Sequence, residues 1–83
     1  MSSGAMSTKD ELLAAAEKLD ARADDRHRAM LYSNKFADAR ALARDYDLAT
    51  VLCQEAIDLL NESIELRDLA VSLRKLATHE QGK

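Results

Sequence analysis

With 83 residues the chain has room for one domain, near the size at which a single hydrophobic core becomes marginal. Its 47% hydrophobic and 33% charged residues, at a net charge of −3, exclude a disordered polyelectrolyte. Proline is absent and the only glycines are Gly4 and Gly82, which leaves no turn chemistry for a β-sheet and predicts an all-α fold.

The opening residues 1–6 are small and polar and end in a second methionine, Met6. They read as a cloning remnant or a disordered start, so a single helical domain is expected over residues 7–80. A first helix begins at Ser7 or Thr8, where Thr8-Lys9-Asp10-Glu11 fits a capping box. At about 100° per residue, Leu12, Leu13, Ala16, Leu19, Ala23, His27, Met30 and Leu31 gather into one apolar stripe. Lys18, Arg22 and Arg26 border it on one side, and Glu17, Asp20 and Asp24 on the other. An apolar seam with opposite charges on its flanks is the pattern of associating helices.

After Leu31 the phase is lost, and Phe36, Ala39, Leu42, Ala43 and Tyr46 form a rotated stripe. Tyr32-Ser33-Asn34-Lys35 is therefore a candidate break, with Ser33 or Asn34 able to cap the next helix. A second candidate break is Asp45-Tyr46-Asp47, with Asp47 capping a helix that opens at Leu48. From Leu48 to Leu66 the apolar residues cover an arc of about 180°, wider than a surface helix needs against one neighbour. Beyond Arg67 the arc drifts onto Leu69, Leu73 and Leu76, which implies a supercoil or a bend near residues 65–68. The end from Thr78 is expected to fray, with 81–83 outside the domain. A long helical hairpin and a three-helix arrangement both fit. Either leaves apolar surface that a homodimer, in the form of a helical bundle, would cover.

Charge is divided along the chain. Residues 18–44 carry seven basic and four acidic side chains, whereas residues 45–66 carry six acidic and no basic ones. Glu55, Asp58, Glu62 and Glu65 form one helical stripe. This stripe reads first as a solvated face, then as a partner for the basic border of the preceding helix, and last as a surface for a basic partner.

Chemistry-bearing patterns are sparse. Asp24-x-x-His27 has the spacing of a di-iron bundle ligand pair, but a site needs that element twice with two further carboxylates, and no metal is expected. Glu55-x-x-Asp58 and Glu62-x-x-Glu65 resemble the acidic motifs of helical nucleotide pyrophosphohydrolases of the MazG type, which bind Mg²⁺, yet they run along one helix with no acidic cluster opposite. Cys53 falls inside the apolar arc and reads as a buried, inert thiol, and as a single cysteine it forms no intramolecular disulfide. Residues 42–52 loosely echo a helix-turn-helix, but the would-be reading helix is acidic, which opposes binding to phosphate-rich nucleic acid. No glycine-rich loop or nucleophile elbow occurs, so no cofactor is expected. The longest apolar run, residues 12–16, is far short of a membrane span.

In size and composition the chain resembles small helical hairpin regulators and phage-encoded inhibitors, and no stretch carries a particular family's residues across. The expected function is a non-enzymatic, cytoplasmic protein of a bacterium or phage, dimeric, that binds and modulates another protein as a regulator, inhibitor or adaptor. Met30, Phe36 and Tyr46 are the candidate contact residues, with Arg22 and Arg26 as rim charges. A helix-turn-helix-like or antitoxin-type DNA binder is the alternative, followed by a Mg²⁺-dependent nucleotide hydrolase using the acidic stripe.

Overall fold

The computed structural model describes residues 7–81, with side chains through His79. They form two helices, α1 (Thr8–Leu42) and α2 (Tyr46–Gln81), folded back on each other through a three-residue turn at 43–45. The hairpin is thus the architecture, and the third helix is not formed. Residues 1–6, read from the sequence as a remnant ahead of the domain, and residues 82–83 lie outside the described residues.

Helix α1 starts one residue before the expected capping box. Ser7 holds an extended backbone (φ −77°, ψ 164°), and its hydroxyl oxygen accepts the Asp10 N–H at 3.2 Å. Thr8 is already helical, and Asp10 and Glu11 place negative charge on the positive end of the helix dipole.

The helix then continues through Tyr32-Ser33-Asn34-Lys35 without a break, and Ser33 is buried against α2 rather than capping anything. The apparent loss of phase has a plain cause: the rotated stripe is not the buried one. Phe36, Ala39, Leu42, Ala43 and Tyr46 are exposed, while the buried side of α1 continues without a break from Ala16 and Ala23 to Ser33 and Ala37. The bend considered at residues 65–68 is not formed, since α2 is unbroken there. Residues 78–81 form the last described turn of α2.

The turn is built without glycine. Arg44 adopts a left-handed backbone (φ 64°) just past the end of α1. Its N–H bonds the Ala41 carbonyl at 3.0 Å, and the Asp45 N–H bonds the Arg40 carbonyl at 2.9 Å, the paired closure of a Schellman motif. Asp45 then opens α2. Its carboxylate accepts the Leu48 N–H at 3.4 Å and its carbonyl accepts the Ala49 N–H at 3.0 Å. The cap is therefore Asp45, and Asp47 lies inside the first turn.

What is buried between the helices is small. The described residues nearly closed to solvent are Ala16, Ala23 and Ala37 on α1 and Ala49, Ala56, Ala70 and Ala77 on α2, joined by Ser33 and Ser63. On α2 the row 49, 56, 63, 70, 77 is an unbroken seven-residue repeat, and Ala16, Ala23, Met30 and Ala37 match it on α1. Side chains this short let the helix axes approach toward the short end of the usual ~8–10 Å spacing. Among the described residues no large side chain is fully buried. The product is a ribbon of 59 × 22 × 13 Å with a radius of gyration of 18.5 Å, against about 12 Å for a compact chain of this length.

Candidate functional site

A two-helix ribbon has two broad faces, one on each side of its seam, and the seven-residue repeat assigns side chains to them. Taking the alanine row as reference, Leu52, Leu59, Leu66 and Leu73 recur every seven residues along one side of α2 and are half-buried. Leu48, Leu69 and Leu76 extend that side and are exposed, and Leu12, Leu19 and Phe36 of α1 lie across the seam on the same side. This is the leucine face. The opposite face carries Ile57, Leu60, Ile64 and Val71 of α2 with Leu13, Met30 and Leu31 of α1. Ile57, Ile64 and Val71 are each about half open to solvent. On α2 the apolar residues flank the seam on both sides, as the wide arc from Leu48 to Leu66 requires, and most of that arc has no neighbour to rest on.

Cross-helix ion pairs confirm the register and distinguish the faces. On the leucine face Arg26 Nε meets Glu62 Oε1 at 2.7 Å. On the opposite face Arg67 bonds Asp24 at 2.7 Å, and Arg74 bonds Asp20. Among the described residues the expected pairing of the basic border with the acidic stripe is thus realised once, by Arg26 and Glu62. Two further pairs run the other way, from acids on α1 to arginines beyond the acidic stretch of α2. Each partner keeps roughly a third to a half of its side-chain surface in solvent, so each pair contributes about 0–1 kcal/mol.

The five candidate contact residues do not converge. Arg22, Arg26 and Phe36 share the leucine face, with Phe36 exposed beyond the midpoint toward the turn. Met30 belongs to the seam row, is half-buried and opens onto the opposite face. Tyr46 stands exposed at the hairpin end. Met30 lines a shallow depression of about 220 Å³ with Asn34, Cys53, Ala56, Ile57 and Leu60. That is below the ~300–1,000 Å³ of clefts that hold small molecules. Cys53 is exposed there, which corrects the buried thiol expected from the sequence. The close alanine seam occupies the interior, so the side chains beside it are left at the surface.

His27 is exposed next to an Asp24 already engaged with Arg67. Glu55, Asp58, Glu62 and Glu65 are exposed along α2, and Asp58 accepts a hydrogen bond from Gln54. Among the described residues no group of three or more His, Cys, Asp or Glu side chains is placed to hold a metal ion. Residues 42–52 straddle the antiparallel turn, so the helices they join lie side by side. No helix among the described residues is long and apolar enough to cross a membrane. Comparison with protein-family models, curated proteins and solved structures finds no match for this chain, so the functional reading rests on its own residues.

Proposed function

We propose that this chain is a non-enzymatic helical interaction protein, which dimerises into a helical bundle and uses its remaining apolar face to bind and modulate another protein. The observation that carries the reading is the inversion of the usual burial order. Alanine and serine fill the seam, while Phe36, Ile57, Ile64, Leu69, Val71 and Leu76 are each about half or more exposed. Apolar side chains arranged along two continuous faces, with charges at their borders, are the chemistry of helix-to-helix recognition. Full burial of such a side chain is worth about 1.5–3 kcal/mol, so covering the half still in water would add about 1 kcal/mol each.

Affinity capture from the native lysate with the wild-type chain, run beside Ile57→Glu/Ile64→Glu, tests the partner. The expected result is a stoichiometric protein retained by the wild type and lost from the variant. No such protein, or one retained equally by both, overturns this reading.

A further inference from the structure

We infer that the leucine face is where a second copy of this chain packs, with both turns at the same end, so that α1 of each copy lies against α2 of the other. The inference rests on reading the broad faces as interaction surfaces, and it names the occupant and orientation for one of them.

Area permits it. A face of at most 59 × 22 Å has a projected area on the order of 1,000 Å², above the ~800 Å² per partner of a stable interface. Continuity selects the face. The leucine row runs almost the length of α2 with one ion pair bridging the seam beside it, whereas two such pairs occupy the open half of the opposite face.

Charge decides the orientation. Arg26 and Glu62 stand level with each other near the middle of the ribbon, and their side chains are 46% and 52% exposed, so both remain open to a neighbour. Two face-to-face arrangements have two-fold symmetry. If the turns point in opposite directions, α1 covers α1 and α2 covers α2. Arg26 then meets the second copy's Arg26, Glu62 meets Glu62, and Glu55 falls over Leu69. If the turns lie at the same end, α1 covers α2. Each Arg26 then faces the other copy's Glu62, giving four alternating charges. Leu19 meets Leu69 and Phe36 meets Leu52, because each apolar level meets itself. Opposite charges across an interface fix its register, and like charges reject the wrong one.

Three measurements on the full chain test this. In light scattering across a concentration series the wild type should give twice the monomer mass. Leu59→Glu/Leu66→Glu should give the monomer with its helical circular dichroism retained, and Ile57→Glu/Ile64→Glu should remain a dimer. Arg26→Glu and Glu62→Arg should each weaken the dimer by on the order of tenfold in Kd, and the double exchange should restore it. A spin label at Leu42→Cys, placed in a Cys53→Ser chain, should report a distance near 25 Å across two stacked helix layers, against about 50 Å for opposed turns. A wild-type monomer, a dimer dissolved by the Ile57/Ile64 variant instead, no recovery on charge exchange, or the long distance each overturns the inference. A monomer that still captures a partner protein from lysate, and loses it with Ile57→Glu/Ile64→Glu, would remove the dimer while leaving the partner-binding part of the proposed function standing.

Discussion

Arg44 and Ser63 show how single residues depart from the easiest chemistry for their positions. Arg44 occupies the left-handed backbone position where glycine is the usual choice, at a cost of about 1–2 kcal/mol for a residue with a Cβ. Arg44→Gly removes that strain but makes the unfolded chain more flexible, which returns about 0.4–1 kcal/mol. The expected outcome is a gain of up to ~1 kcal/mol, read as a rise of several degrees in Tm, whereas Arg44→Val lowers Tm. Ser63, 2% exposed, is the one hydroxyl in the alanine row of α2. Ser63→Ala keeps the shape of the seam and removes a buried polar group. It should leave stability unchanged or raise it by about 1 kcal/mol in chemical denaturation.

At the scale of the elements, the seam rather than the ion pairs sets stability. Ala56 is buried at the heart of the close approach, so Ala56→Leu must push the helices apart or force a strained rotamer. A loss of about 1–3 kcal/mol is expected from denaturation midpoints. Asp24→Asn breaks the bond to Arg67 at an exposed site. It should cost less than about 1 kcal/mol, and the difference should shrink in high salt. If the two variants proved equally damaging, the alanine seam would not be the principal contact between the helices. Much of this seam is legible in the sequence, since residues 49, 56, 63, 70 and 77 repeat every seven positions. It is overlooked when the largest apolar side chains are taken to mark the buried side. In a two-helix contact this close, small side chains occupy the centre and large ones stand beside it. The phase change after Leu31 misleads for a related reason: Phe36, Leu42 and Tyr46 are large but exposed, while the seam runs on through the small Ser33 and Ala37.

At the scale of the whole molecule, the chain lacks the core that its composition promises. A buried alanine methyl contributes about 0.8 kcal/mol, well below a buried leucine, so a seam of alanine and serine stabilises a lone hairpin weakly. Covering the leucine face would add burial of the larger kind. Because association stabilises the folded state by mass action, Tm should rise with protein concentration over a hundredfold range. A concentration-independent Tm would mean that one copy is stable on the alanine seam alone. The amino-acid sequence by itself determined that the chain is helical, because it offers neither proline nor internal glycine. It also determined that α2 has too broad an apolar arc for one neighbour, because leucine and isoleucine recur on both sides of the alanine row. Only the tertiary structure decided which residues that row would bury. Two long helices joined by three residues must run antiparallel and in contact along their whole length, and the alanines allow the closest approach. That packing turned Cys53 and His27 outward, paired Asp20 and Asp24 with arginines of α2, and left Arg26 and Glu62 level and open at the middle of the leucine face.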